Sequence, residues 1–399
     1  MKHIVILGDG MSDEPIEQLN NATPMEYAKT PTMDELAGQG EIGIVNTIPE
    51  GMSPGSDVAN LSVLGYDPKQ YYSGRSPLEA LSIGVKMEDS DVAIRCNIVT
   101  LSEDEDSYED RTMVDHSADE ISTEEAAILL EAVRAKLQDD EFKFYLGTSY
   151  RHCLIWKNGE VLEYAQPHDI LEQSITKYLP TNDSFLQMQK LSYEILVNHP
   201  INQARRDKGL NPANSLWFWG AGTKPSLDSF EEKRGKKGVM ISAVDLLKGI
   251  AVGAGLHNIN VEGANGGLNT NYEGKAKAAV EALTKDGYDF VYVHIEAPDE
   301  MGHQGSLEKK IKAIEYLDER VIKVAKEGLD AAGVDYRMII LPDHPTPLRI
   351  RTHTSEAVPY LLYDSTDIKQ HSWKYNEKEA IASANEYVSG CALMEHFIG

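Results

Sequence analysis

Three short apolar runs, each followed closely by an aspartate, constrain the fold of this chain most strongly. They are residues 2–7, 288–295 and 338–341, and Asp9, Asp299 and Asp343 lie just beyond them. Such runs are typical of strands buried on both faces, and here they alternate with helical patterns. The alternation predicts an α/β fold, a mostly parallel sheet flanked by helices. Because ligands gather beyond the carboxyl ends of parallel strands, we expect the aspartates at one functional edge.

The pattern changes over residues 80–225, which indicates a separate α+β unit. We therefore predict a discontinuous domain over residues 1–79 and 226–399, interrupted by an inserted domain over residues 80–225. Within the insert, Asn158-Gly159 predicts a hairpin with strands at residues 150–156 and 161–164. Elsewhere the periodicity predicts helices over residues 24–38, 182–198, 239–256, 275–283, 307–332 and 377–397.

Carboxylates and imidazoles recur at the predicted strand ends. Asp299 and His303 are four residues apart, and His344 directly follows Asp343. His353 and Asp9 complete the set. Oxygen and imidazole donors without thiolate suit Mn, Zn, Mg or Co. One such fragment alone would be structural, but their recurrence indicates a divalent-metal centre.

Ser56 follows a Pro-Gly turn and opens an apolar helical run. We expect it to be an N-cap, with its hydroxyl beside the free N–H groups and the positive end of the helix dipole. That environment suits an alkoxide or bound phosphate oxygens. Two metal ions about 3.5–4 Å apart would activate such a serine for phosphoryl transfer. Ser56 is therefore the candidate nucleophile, and an ordinary helix cap is the alternative.

The balance of charge limits the partners. With 64 acidic and 38 basic side chains the net charge is −26, which argues against nucleic acid and anionic membranes. No apolar stretch approaches the roughly 20 residues of a membrane span. Three scattered cysteines and an N-terminal apolar run too short for a signal peptide favour a cytoplasmic protein. We expect a monomer or small homo-oligomer acting on a small metabolite.

Several motifs together resemble one known family over nearly the whole chain. They are Gly8-Asp9-Gly10, Pro54-Gly55-Ser56-Asp57, Leu64-Gly65-Tyr66-Asp67-Pro68, Tyr72-Ser73-Gly74-Arg75-Ser76-Pro77, Arg95-Cys96-Asn97, Tyr150-Arg151-His152-Cys153, Pro298-Asp299 with Gly302-His303, Asp343-His344 and His353-Thr354. The chain is similar in these to the cofactor-independent phosphoglycerate mutases of the archaeal type, within the alkaline phosphatase superfamily. The resemblance implies a metal-binding, phosphatase-like domain and an inserted substrate-binding domain.

The same resemblance implies a mechanism. The phosphoryl group of 3-phosphoglycerate would pass to Ser56 and return to the 2-hydroxyl, with two divalent metal ions (Mn, Mg, Zn or Co) and no 2,3-bisphosphoglycerate. The family pattern carries over as two ligand sets. One is Asp299, His303 and His353, and the other is Asp9, Asp343 and His344 with Ser56 as a further ligand.

Two segments depart from the family pattern. Residues 115–121 contain no arginine where that pattern has DRRAGRI, and residues 217–220 read Trp-Phe-Trp-Gly where it has an Arg-Gly pair. Loss of arginines weakens a site for a carboxylate and a phosphate. A similar bacterial branch has been proposed to phosphorylate homoserine, whose ammonium Asp119 or Glu120 would hold, with the tryptophans making cation–π contacts. The remaining substrate-binding candidates are Arg151, Arg205, Arg206, Lys275 and His116.

Four functions therefore stay open. Phosphoglycerate mutase is the leading hypothesis, and a homoserine kinase using the same serine and metals is the alternative. A metal-dependent phosphatase or sulfatase is the third, and a catalytically inactive binding protein is the fourth. The intact set of seven candidate metal-site residues argues against the last.

Overall fold

The computed structural model describes all 399 residues, and they form two compact units. The first consists of Met1–Tyr72 and Ser226–Gly399, and the second of Ser73–Pro225. The helix Arg75–Ser82 packs on strands of the second unit, so residues 73–79 belong there rather than to the first. None of the helices has the length and apolar character needed to cross a membrane.

The strands are listed here in chain order. They are β1 (Lys2–Gly8), β2 (Glu41–Val45), β3 (Val92–Leu101), β4 (Met113–Asp115), β5 (Phe142–Thr148), β6 (Arg151–Trp156), β7 (Ser215–Thr223), β8 (Gly238–Ile241), β9 (His257–Asn258), β10 (Phe290–Ile295), β11 (Tyr336–Leu341), β12 (Val358–Asp364) and β13 (Glu386–Tyr387). Strands β3 to β7 belong to the second unit, and the others to the first.

The α-helices are numbered in the same way. They are α1 (Pro24–Tyr27), α2 (Pro31–Gln39), α3 (Ser56–Val63), α4 (Pro68–Tyr71), α5 (Arg75–Ser82), α6 (Thr123–Leu137), α7 (Asp183–Leu196), α8 (Pro200–Asp207), α9 (Phe230–Arg234), α10 (Asp245–Gly253), α11 (Tyr272–Thr284), α12 (Ala297–His303), α13 (Leu307–Leu317), α14 (Lys323–Ala332), α15 (Glu377–Ala382) and α16 (Gly390–Ile398). A π-helical segment, Asp318–Ile322, joins α13 to α14.

The first unit is built on an eight-stranded sheet in the order β13-β2-β12-β11-β1-β10-β8-β9. Strand β1 pairs in parallel with both β10 and β11, and β8 continues the parallel set beside β10. Only β12 runs antiparallel to its neighbours. The three central strands are almost wholly buried, as continuous apolar runs require. The predicted mostly parallel α/β fold is confirmed.

Strand β8 differs from the sequence prediction. Residues 239–256 were expected to form a single helix, but they divide into β8, a bend and α10. The four residues of β8 are all buried and pair with β10. A run of four apolar residues is too short to show a periodicity of its own. The helical periodicity of the residues that follow was therefore extended over the strand.

Two other helical predictions are also corrected. Residues 377–397 form α15, the edge strand β13 and α16, with a break at Ala384, whose φ is +58°. Residues 24–38 form α1 and α2, because Thr30 precedes Pro31 and leaves the helical region. In both segments the apolar positions face the core, but the backbone does not continue as one helix.

The second unit contains an antiparallel sheet in which β3 pairs with β4, β6 and β7. The predicted hairpin at Asn158-Gly159 is wrong, since residues 161–164 form no strand. The hairpin instead joins β5 to β6 through Ser149, whose φ is +56°. Helix α6 follows Ser122, whose side chain caps it by accepting from the Glu125 N–H.

Candidate active site

Three neighbouring parallel strands bring the predicted aspartates together. Asp9 directly follows β1, and Asp343 lies two residues beyond β11. Asp299 lies in the first turn of α12, which begins just after β10. Because β11, β1 and β10 are adjacent and parallel, their carboxyl ends share one edge of the sheet. The three aspartates therefore lie at one edge of the sheet, as the three apolar runs predict.

The inner group consists of Asp9, His294 and Asp343, whose ligand-type atoms all lie within 4.8 Å of one another. All three residues are at most 4% exposed. The Asp343 carboxylate accepts hydrogen bonds from the Gly10 N–H at 3.1 Å and from the Asn60 amide at 3.0 Å. The inner group is thus a buried, acidic cluster held by the main chain and by α3.

Asp9 gives the clearest indication that the inner group suits a cation. One of its carboxylate oxygens, Oδ1, is buried and has no hydrogen-bond partner. Burial, together with the nearby charges of Asp343 and Asp299, raises the pKa of Asp9 well above its usual value. A buried carboxylate with a free lone pair and like-charged neighbours is stabilised by a bound divalent ion. The donors of the inner group therefore fit a metal.

His294 was not predicted, and it connects Asp9 to a buried chain of charges. Its Nε2 lies 3.0 Å from Asp9 Oδ2, and its Nδ1 lies 3.1 Å from Glu296 Oε1. Burial alone would lower the pKa of His294, but Glu296 and Asp9 raise it to about 10. The Lys275 ammonium donates to Glu296 at 2.8 Å. A histidine inside an otherwise apolar strand was the available sequence signal.

The outer group consists of Asp299, His344 and His353, again with ligand-type atoms within 4.8 Å of one another. His303 adjoins it: its Nε2 lies 3.1 Å from Asp299 and 3.1 Å from His353 Nε2. The side chains of His303 and His353 are 36% and 22% exposed, so this side of the centre is open to solvent. Burial would raise the pKa of Asp299, but hydrogen bonds from His303 and His353 lower it well below its usual value.

His303 is oriented by the main chain. Its Nδ1 donates to the Arg351 carbonyl at 2.9 Å, which leaves Nε2 free to face Asp299. A backbone acceptor on the far nitrogen is the usual way in which proteins fix the tautomer of a metal-binding histidine. The predicted residues Asp299, His303 and His353 are thus placed side by side.

Ser56 reaches the same cluster, although not as an N-cap. Gly55 is the N-cap residue of α3, and Ser56 is the first helical residue with no capping hydrogen bond from its side chain. Its Oγ instead lies 3.2 Å from His344 Nε2. Asn60 connects the serine to the inner group, because its amide donates to the Ser56 carbonyl at 2.7 Å as well as to Asp343. The Tyr292 hydroxyl holds Asn60 in turn, at 2.6 Å.

The predicted substrate-binding cations are placed differently. Lys275 is fully buried and bound to Glu296 and the His294 carbonyl, so its charge serves the inner network. Arg205 is 3% exposed and pairs with Glu125, with the Ala118 carbonyl as a further partner. Both of these predicted substrate-binding cations therefore have partners within the protein.

Arg206 forms a forked pair with Glu103 inside the second unit, so it too has an internal partner. Arg151 is exposed, and its guanidinium lies 5.5 Å from the ring of Tyr150. His116 packs edge-on against Tyr150 and lies 3.9 Å from Asp115. The part that Arg151 and His116 play toward a substrate stays a prediction.

Comparisons with known proteins agree with this geometry. The family model described as 2,3-bisphosphoglycerate-independent phosphoglycerate mutase matches residues 37–202. A protein of Geobacter sulfurreducens named "Probable 2,3-bisphosphoglycerate-independent phosphoglycerate mutase" is 48% identical, over 99% of both chains. A protein of Methanosarcina acetivorans named as the same mutase is 45% identical, over 96% of both chains.

Two solved structures resemble this chain over its whole length. The PH0037 protein from Pyrococcus horikoshii has a TM-score of 0.81 at 30% identity, covering 100% of this chain and 96% of its own. A cofactor-independent phosphoglycerate mutase from Thermoplasma acidophilum has a TM-score of 0.68 at 27% identity, covering 100% and 99%. By its site and by these relatives, the chain belongs to the family of 2,3-bisphosphoglycerate-independent phosphoglycerate mutases.

Proposed function

We propose that this chain interconverts 3-phosphoglycerate and 2-phosphoglycerate through a phosphorylated Ser56. The observation that carries the proposal is the position of the Ser56 hydroxyl, 3.2 Å from His344 Nε2 and beside a cluster of carboxylates and imidazoles. The names of the relatives at 45–48% identity supply the substrate class. The homoserine kinase alternative gains no support from these relatives, which carry mutase names.

Two divalent ions complete the proposed site. Asp299, His303 and His353 would hold one ion. Asp9, Asp343 and His344 would hold the other, with Ser56 as a further ligand. When bound, such ions lower the pKa of a ligating hydroxyl and neutralise charge on a transferring phosphoryl group. The free oxygen of Asp9 and the donor set, which contains no thiolate, support this assignment and suit Mn, Mg, Zn or Co.

The residues of the chain then perform the transfer. Ser56 Oγ loses its proton and bonds to phosphorus, while the bond from phosphorus to the 3-oxygen of glycerate breaks and that oxygen takes up a proton. In the return step the 2-hydroxyl loses its proton, attacks the phosphoserine, and Ser56 regains a proton. The N-terminus of α3 favours the phosphorylated form, because its dipole is positive there. Asn60 keeps Ser56 fixed to Asp343 throughout.

One set of assays tests the proposal. Purified protein loaded with Mn²⁺ is offered 3-phosphoglycerate, ATP with homoserine, or p-nitrophenyl phosphate, with a chelated sample as control. We expect 2-phosphoglycerate from the first, little or no turnover of the other two, and loss of activity on chelation. Phosphorylation of homoserine without mutase activity would overturn the proposal, as would full activity in the chelator.

The second unit is proposed to bind substrate through Arg151 and His116. The Arg151→Gln variant should raise KM for 3-phosphoglycerate by about 10-fold, the worth of one charged hydrogen bond. Arg206→Gln is the matched control, since the Arg206 guanidinium is already paired with Glu103. An unchanged KM in Arg151→Gln would remove this residue from the proposed site.

A further inference from the structure

Arg351 lies in the loop between β11 and β12, which also carries metal-site residues. It follows Asp343 and His344 by several residues and precedes His353 by two. Its φ is +55°, a left-handed conformation that arginine seldom adopts. Such conformations cost free energy and persist only where the surrounding contacts enforce them. The enforcing contact here is the hydrogen bond between the Arg351 carbonyl and His303 Nδ1.

The side chain of Arg351 is placed by a glycine. Its guanidinium lies against the bare backbone of Gly305, where a Cβ would come within 2.7 Å of Cζ. Gly305 is two residues beyond His303, so the guanidinium lies at the end of α12 that carries His303. Both ends of Arg351 are thus held: its carbonyl by His303 and its guanidinium against Gly305.

The guanidinium has no hydrogen bond or ion pair, although the net charge of the chain is −26. Arg349, two residues earlier in the same loop, forms a forked pair with Glu14 at 2.8 and 2.9 Å. The buried cation Lys310 of the same unit is likewise paired, with Asp13. Arg351 is therefore an exposed arginine whose guanidinium is held against Gly305 and has no polar partner.

We propose that Arg351 binds the phosphoryl oxygens of the substrate, and so is a further binding residue for the reaction; this rests on the function proposed above. A guanidinium presents paired N–H donors that match phosphate oxygens, and it keeps its charge at every working pH. The site otherwise gathers carboxylates, which repel a phosphate dianion. Arg351 supplies a positive charge held by the loop that also orients His303.

The test compares Arg351→Gln and Arg351→Lys with the matched control Arg349→Gln in the Mn²⁺-loaded enzyme. Loss of the fork should raise KM for 3-phosphoglycerate and the inhibition constant of orthovanadate about 10- to 100-fold in Arg351→Gln. Lysine should restore part of the loss, because it keeps the charge without the fork. Arg349→Gln should change both constants less than about twofold, the effect expected of an exposed pair.

Two further measurements separate binding from structure. Mn²⁺ affinity by titration calorimetry should be unchanged in Arg351→Gln, since the carbonyl that orients His303 is retained. An altered Mn²⁺ affinity would assign Arg351 a structural role and overturn the proposal. Inhibition by glycerate, which lacks the phosphoryl group, should be unaffected, and a loss confined to glycerate would contradict the phosphoryl assignment.

The Ser56→Ala variant keeps the two proposals apart. Full mutase activity in Ser56→Ala would refute the function proposed above. An inactive Ser56→Ala together with unchanged constants in Arg351→Gln would refute the role of Arg351 alone.

Discussion

The inner and outer groups of the metal centre use similar donors but balance their charge to different extents. In the inner group Asp9 and Asp343 are buried together with the single imidazole of His294, and one oxygen of Asp9 has no partner. In the outer group Asp299 is flanked by His303 and His353, both open to solvent. His344 borders both, 3.7 Å from Asp9 and in ring stacking with His353.

This difference in charge balance indicates which group depends more on a bound cation. The outer group sets two imidazoles, those of His303 and His353, beside one carboxylate. The inner group sets one imidazole, that of His294, beside two carboxylates in a region of low dielectric constant. The inner group therefore depends more on a bound cation than the outer group does. The more exposed histidines of the outer group leave that side open to solvent.

The comparison is tested most severely by Asp9→Asn and Asp299→Asn. Each should lower mutase activity by about 1000-fold, since metal stabilisation of transition-state charge is worth several kcal/mol. In chelator, however, the two substitutions should change the unfolding free energy in different directions. Asp9→Asn should leave the unfolding free energy unchanged or higher, because it removes a buried like charge. Asp299→Asn should lower it by about 1–3 kcal/mol, because two histidines lose their acceptor.

Urea unfolding in the presence of chelator measures both variants. Addition of Mn²⁺ should then raise the stability of the parent protein by about 2.7 kcal/mol at 100 times Kd, and that of Asp9→Asn by less. Equal destabilisation of the two metal-free variants would show that the groups are not balanced differently.

The next largest effect concerns the charges behind the inner group. Burial alone would raise the pKa of Glu296, but His294 and Lys275 lower it from 4.5 to about 2. A carboxyl whose folded pKa is lowered stabilises the fold above its unfolded pKa, and this stabilisation is lost as the pH falls from 4.5 towards 2. Glu296→Gln should therefore cost on the order of 3 kcal/mol at neutral pH and flatten stability across that window.

Urea unfolding at several pH values between 2 and 7 checks this expectation. Glu14→Gln is the control, because Glu14 forms only an exposed pair with Arg349. If Glu296→Gln lost stability between pH 4.5 and pH 2 as the parent protein does, the buried chain of charges would not be the cause of that loss.

A smaller effect is expected from the residue that orients Asp9. His294→Asn should weaken Mn²⁺ binding at the inner group about 10- to 100-fold, as the loss of residues that orient metal ligands does elsewhere. Thr346→Val is the matched change on the outer side, where the Thr346 hydroxyl donates to Asp299. It should have less effect, since Asp299 keeps two imidazole partners. Titration calorimetry with Mn²⁺ compares them, and equal losses would contradict the asymmetry.

The sequence predicted those parts of the fold in which the pattern of apolar residues fits only one type of secondary structure. The runs that became β1, β10 and β11 are continuous, apolar and followed by aspartate, so their place in a parallel sheet could be inferred. Strand β8 could not, because its four residues run into α10 without a change in apolar character. The Asn158-Gly159 turn signal was overridden, since Gly159 packs against the ring of Trp156 instead of leading into a strand.

The site could be predicted where chemistry is visible in single residues, and not where it depends on partners. Asp9, Asp343 and His344 stand out as donors at strand ends, and the structure brings them together. Asn60 and His294 act through contacts with residues far away in the chain, which no local pattern reveals. The pairing of Arg205 with Glu125 was missed for the same reason, because Glu125 is 80 residues away in the sequence.

The most direct test of the account is the covalent state of Ser56 during turnover. Enzyme loaded with Mn²⁺ and mixed with 3-phosphoglycerate is quenched in acid, digested and mapped by mass spectrometry. The account predicts one phosphate on the peptide that contains Ser56 and none in the Ser56→Ala variant, whose activity should fall by about 10⁴-fold or more. An unphosphorylated Ser56 at full turnover, or an active Ser56→Ala, would contradict it.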